Sequence, residues 1–271
     1  MTTNPTTQPP TEPVAAQAGR VATAAAGKVV DVAKSVATGP PPPAVAAAVV
    51  PPRAAVRRSR LPEAAAVAGL GGFAVLFGLV KADRTKAFDA AMTLRLQAAR
   101  HPALERLMRA ASWPGFPPQS RIIPPTIIAT MAATGLRVEA ACQTAAWGSA
   151  LVSTLAKAVM GRQRPIAGKD LRVVAAPLGG SSFPSGHVLT YVGTYGFLAF
   201  LSATLVREPL PRRLAVGGLV GLVGLVGPSR IQQGHHWPTD VTASYLLGTS
   251  YLVGVAALYR RLKARSAGVQ P

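Results

Sequence analysis

Residues 64–80 carry neither a charged nor a hydrogen-bonding side chain. A helix of that length and apolarity crosses a hydrocarbon core of about 30 Å with little tilt, so the run predicts a membrane span. Similar runs at 122–136, 140–160, 188–206, 214–227 and 241–259 bring the expected number of spans to six. The second carries Pro124-Pro125, and the fifth is short and holds Gly217, Gly218, Gly221 and Gly224. Small residues of that kind allow close helix packing in a membrane bundle, whereas in a soluble helix they are expensive. With 49% hydrophobic and 14% charged residues, the chain holds more apolar material than one soluble domain needs.

The formal charge of +19 raises nucleic acid as a partner, but the basic residues lie between apolar stretches rather than in one patch interleaved with aromatics. No nucleic-acid partner is expected. The single cysteine, Cys142, has no internal disulfide partner and reads as a small core residue. The first twenty residues lack an apolar core of the signal-peptide type, so insertion is expected to rely on an internal helix.

Residues 1–60 are rich in Ala, Pro, Thr and Val and predict a disordered cytoplasmic tail, with a weak surface helix at 14–37 as an alternative. Residues 61–265 form the expected membrane domain, and 266–271 a short C-terminal tail. Between spans one and two, residues 81–121 mix apolar and basic side chains and predict amphipathic interfacial helices, ended by a turn at Trp113-Pro114-Gly115 with the tryptophan at headgroup level. The fold class is therefore an all-α, six-transmembrane-helix bundle.

Six spans put both chain ends on one side. Arg53, Arg57, Arg58 and Arg60 precede span one, Arg207, Arg212 and Arg213 join spans four and five, and Arg260, Arg261, Lys263 and Arg265 follow span six. Cytoplasmic loops are enriched in Lys and Arg, so these faces and both termini are expected to be cytoplasmic in the plasma membrane. The basic 81–121 segment opposes this, but long loops weigh less.

Three patterns then fall at outer helix ends. Lys157 precedes Arg164-Pro165; if helix persisted between them, both charges would share one face about 10 Å apart. Pro184-Ser185-Gly186-His187 opens span four, where the N–H groups of Ser185 and Gly186 begin a helix that attracts anions. Ser229-Arg230 is followed by His236 and Asp240, and a carboxylate four residues after an imidazole at a helix start accepts one ring N–H and leaves the other nitrogen bare. Each pattern also has a plainer reading, as snorkelling cations, an N-cap serine, or an acidic helix start. His235 is expected to point elsewhere and to play no part.

Together the patterns describe a phosphate pocket, with Lys157, Arg164, Ser185, Gly186 and Arg230 binding and His236, His187 and Asp240 reacting. The chain resembles the type 2 phosphatidic acid phosphatase superfamily, whose patterns KxxxxxxRP, PSGH and SRxxxxxHxxxD read here as 157–165, 184–187 and 229–240 without departure. The resemblance covers 61 to about 265 and implies a metal-independent membrane phosphatase, without cofactor, acting on lipid phosphates at the outer face. His236 is expected to attack phosphorus and form a phosphohistidine while His187 protonates the leaving lipid oxygen. Candidate substrates are a polyprenyl diphosphate, a phosphorylated polyprenyl-phosphate sugar, phosphatidate and phosphatidylglycerol phosphate. A non-catalytic lipid-phosphate carrier or flippase, vanadium haloperoxidase-like oxidation and a tail-mediated scaffold are the rival readings.

Overall fold

A computed structural model describes residues 60–168, 171–174 and 179–266. The tail expected over 1–60, save its last residue, and most of the short C-terminal tail lie outside the described residues. The described chain is all-helical: α1 (Arg60–Lys81), α2 (Lys86–Gln97), α3 (Pro102–Ser112), a short 3-10 turn (Trp113–Gly115), α4 (Gln119–Ala133), α5 (Arg137–Trp147), α6 (Ser149–Met160), α7 (Gly186–Leu205), α8 (Pro209–Gln232) and α9 (Pro238–Ser266).

Among the described residues, four helices are long and apolar enough to cross a membrane: Pro62–Lys81, Gly186–Leu205, Pro209–Gln232 and Pro238–Ala264. The segment expected as span two is the 15-residue α4, with both prolines inside it. The segment expected as span three is not one helix but two, of 11 and 12 residues, meeting at Gly148. The break falls where α9 packs against the pair: Tyr251 of α9 donates its hydroxyl to the Ala145 carbonyl at 2.6 Å, and a Cβ on Gly148 would stand 3.2 Å from that hydroxyl.

Helix α7 is the centre of the bundle, in contact with α5, α6, α8 and α9. Gly193 makes this possible, because a side chain there would overlap the Ala146 carbonyl and Ser149. Phe197 and Leu201 of α7 pack with Tyr259 of α9 and the buried Cys142 of α5. Helix α1 lies along α9, where Ser250 donates to the Ala66 carbonyl at 2.8 Å, while Val67 and Val75 stay exposed, as lipid-facing residues do.

The stretch expected to be interfacial inverts the usual amphipathic pattern at α2. Its buried residues are the polar Asp89, Thr93 and Gln97, whereas Phe88 and Leu94 are exposed. Polar bonds hold this helix down: the Gln97 amide donates to the carbonyls of Arg172, Ile231 and Gln232. Helices α2 and α3 thereby pack against the end of α8 that carries Arg230.

Candidate functional site

Helix α6 stops before the second half of its motif. Gly161 caps it in the left-handed region at φ 65°, so Lys157 sits in the last turn and Arg164 beyond it in irregular chain. The single helical face expected for the pair is therefore corrected. They converge by a fold-back: Lys157 Nζ donates to the Ser181 carbonyl at 2.6 Å, and Arg164 reaches the same carbonyl at 3.4 Å and the His235 carbonyl at 2.9 Å.

At the start of α7, Ser185 is the N-cap residue, but its hydroxyl makes no capping bond. The Ser185 N–H, expected to bind phosphate, instead donates to Ser244 Oγ at 2.7 Å, and Ser244 in turn donates to the Asp240 carbonyl at 2.6 Å. The Ser185 hydroxyl has no partner among the described residues. The N–H groups of Gly186 and the next two residues begin the helix and have no intrahelical acceptor. A Cβ on Gly186 would lie 3.3 Å from Ser153 Oγ, so glycine keeps this helix end open to close approach. His187 follows, its Nε2 without a partner among the described residues and its ring edge-on to Phe116 at 4.8 Å.

His236 is 2% exposed. Its Nδ1 lies 2.8 Å from the Ser182 carbonyl and 3.6 Å from the Asp240 carboxylate. A carbonyl only accepts, so Nδ1 carries the proton and Nε2 is bare of one, accepting an Arg164 N–H at 3.3 Å. The expected Asp240 contact to this ring nitrogen is there at 3.6 Å, but the Ser182 carbonyl is the nearer acceptor. Burial lowers the His236 pKa to about 4, against the raising effect of Asp240, so the ring is neutral at pH 7.

Asp240 has other duties. Its carboxylate accepts the Trp237 N–H at 2.9 Å, closing the first turn of α9, and an Arg162 nitrogen at 2.5 Å. Arg162, which sequence reasoning passed over, also donates to Asp89 at 2.6 Å, and Asp89 accepts both the N–H and the hydroxyl of Thr239. One guanidinium thus joins α2 to the start of α9. The arginine was visible between the two motif cations, but its partners lie 73 and 78 residues away and carry no local signal.

His235, expected to point elsewhere, turns to Arg230. It is buried against the Arg230 guanidinium, which itself is 0% exposed and stacked 4.8 Å over Phe116. Burial first, then Arg230, depresses the His235 pKa to about 3. Gly115, read only as part of a turn, and Phe116, which the sequence reading passed over, are packed on these histidines; a Cβ on Gly115 would run into the His187 ring.

A cavity of about 470 Å³ collects Lys157, Arg164, Gly186, His187 and His236 on its wall. Ser185, Arg230 and Asp240 are not on that wall and stand behind it. Arg162 is matched by two carboxylates, so the charge left over belongs to Lys157, Arg164 and Arg230. Fixed cations, helix-start N–H groups and a bare imidazole nitrogen suit a bound oxyanion and attack on it.

A family model described as PAP2 superfamily matches residues 140–264, a range that contains every one of these wall residues. The crystal structure of the first transmembrane PAP2 type phosphatidylglycerolphosphate phosphatase from Bacillus subtilis superposes with a TM-score of 0.63 at 21% identity, over 73% of this chain and 96% of that one. At that identity the likeness speaks for the fold. No curated protein matches the sequence.

Proposed function

Since this chain belongs to the PAP2 superfamily through residues 140–264, we propose that it is a membrane lipid phosphate phosphatase that hydrolyses a phosphomonoester or diphosphate on a lipid. The observation that carries the reading is the bare Nε2 of the buried His236, on the same cavity wall as Lys157, Arg164 and His187. A carrier needs the cations but not that nitrogen.

In the proposed reaction the phosphate lies among Lys157, Arg164 and the N–H groups from Gly186 onward. Nε2 of His236 attacks phosphorus in line; the P–N bond forms as the bond to the lipid oxygen breaks, and His187 gives that oxygen its proton. His187 then takes a proton from water, whose oxygen attacks phosphorus, breaks the P–N bond and releases inorganic phosphate. The positive groups hold the charge spread over the equatorial oxygens, the contribution that dominates phosphoryl transfer, and they do so here without a metal. From behind the wall, Arg230 adds positive potential and Ser185 sets the start of the helix whose N–H groups receive the phosphate. Asp240 holds the Trp237 turn and the Arg162 contact that keep His236 in place.

The six-span arrangement is part of the proposal: α1, α4, the α5–α6 pair, α7, α8 and α9, with residues 61–265 as one domain. Support for its direction comes from charge. Arg207, Arg212 and Arg213 lie at the ends of α7 and α8 remote from His187 and Arg230, which favours a cytoplasmic position for that face and an outward cavity in the plasma membrane.

The test is release of inorganic phosphate from a lipid panel by the purified full chain in detergent. Wild type should turn over at least one lipid, and His236→Ala should insert normally yet lose both turnover and the phosphohistidine formed at that position. Substantial hydrolysis by that variant removes His236 as nucleophile.

A further inference from the structure

The cavity continues past the phosphate groups, and its deeper wall carries two hydroxyls with nothing to bond. Ser153 and Thr194 are 3% and 0% exposed, line the cavity, and have hydroxyl oxygens without a partner among the described residues. A helical Ser or Thr ordinarily turns its hydroxyl to the carbonyl four residues back. Thr154, next to Ser153 on α6, does so with Ala150 at 3.1 Å; Ser153 and Thr194 do not.

Their places form a path. Ser153 is one turn from Lys157, beside Gly186, and Thr194 is seven residues along α7 from His187, about 10 Å deeper at the helical rise. A substrate phosphate at His187 and His236 puts the next few atoms of the molecule between these hydroxyls. An alkyl or prenyl chain there leaves both buried hydroxyls unsatisfied. A polyol satisfies them, and Trp147 and Tyr195 on the same wall offer aromatic faces to its C–H edges.

We propose that the substrate carries its scissile phosphate on a hydroxyl-bearing group, a glycerol or a sugar, set between phosphate and lipid tail and read by Ser153 and Thr194. The proposal rests on the phosphatase reading and narrows it.

The experiment compares kcat/KM for phosphate release on four lipids. Phosphatidate and a polyprenyl diphosphate have no free hydroxyl, whereas phosphatidylglycerol phosphate and a polyprenyl-phosphate sugar phosphate do. The hydroxyl-bearing pair should exceed the other pair by about tenfold or more, and the Ser153→Ala/Thr194→Val variant should bring that ratio to within about twofold. Whichever member of the favoured pair leads identifies glycerol or sugar. Wild type with no preference overturns the proposal, as does an equal loss on all four lipids, which makes Ser153 a phosphate ligand. If wild type releases phosphate from none of them, the phosphatase reading fails, and thermal stabilisation still decides this one. Preferential stabilisation by phosphatidylglycerol over phosphatidylethanol, lost in the double variant, supports hydroxyl reading; equal stabilisation overturns it.

Discussion

A ring nitrogen attacks phosphorus only while it is bare, and two features of His236 keep it so. The Ser182 carbonyl takes the Nδ1 proton, and burial lowers the pKa to about 4. The sign follows: the neutral form dominates above pH 4, and protonation silences Nε2 as pH falls through that value. The acid limb of kcat/KM against pH should therefore have its midpoint near 4, well below the 6.5 of a free imidazole. A midpoint between 6 and 7 in that profile contradicts the assignment. Asp240 departs from the role of a triad carboxylate for the same geometric reason, being 3.6 Å from Nδ1 while Ser182 is at 2.8 Å. Where a carboxylate alone sets the tautomer, its amide variant loses about 10⁴ in kcat. Here Asp240→Asn should lose only about 10- to 100-fold, the scale of a supporting contact, and single-turnover kinetics on the variant distinguish the two.

Arg162 shows what an element needs that a motif does not state. It binds Asp89 of α2 and Asp240 of α9 while only 13% exposed, so its removal strands two buried carboxylates. Arg162→Ala should cost about 3–5 kcal/mol of stability, read from denaturant unfolding in detergent. Arg162→Lys should recover part of that cost, because a point charge replaces one contact of the planar fork but not both. This network also marks where the sequence was legible and where it was not. The motif cations and histidines announced themselves because phosphate chemistry restricts residue type, and the apolar runs announced α1, α7, α8 and α9 because lipid restricts composition. The break at Gly148 was hidden, since the tyrosine that packs there lies 106 residues from the carbonyl it binds. So was the loss of the Ser185 N–H to Ser244, and the polar inner face of α2, whose partners come from distant turns. Local pattern reports helix and charge; it does not report which donor is already taken.

At the scale of the whole molecule, the proposed function puts the cavity on one side of a bilayer and the arginine loop on the other. Helices α7 and α8 each run from one face to the other, so the loop between them, with exposed Glu208, and the exposed Ala167 beyond α6 should be on opposite sides. The chain offers a clean way to ask, because Cys142 is its only cysteine and is buried at 1% exposure. In a Cys142→Ala background, Ala167→Cys should react with a membrane-impermeant maleimide in intact cells, and Glu208→Cys should react only after the membrane is opened. A net of positive charge on the Arg207, Arg212 and Arg213 face favours that face staying inside by the same energetics that bias insertion. Labelling in the reverse order places the cavity toward the cytoplasm, and labelling of both positions in intact cells removes the barrier between them. Either result leaves the chemistry at His236 possible but moves it to another pool of lipid phosphate, so the orientation is a statement about substrate supply as much as about topology.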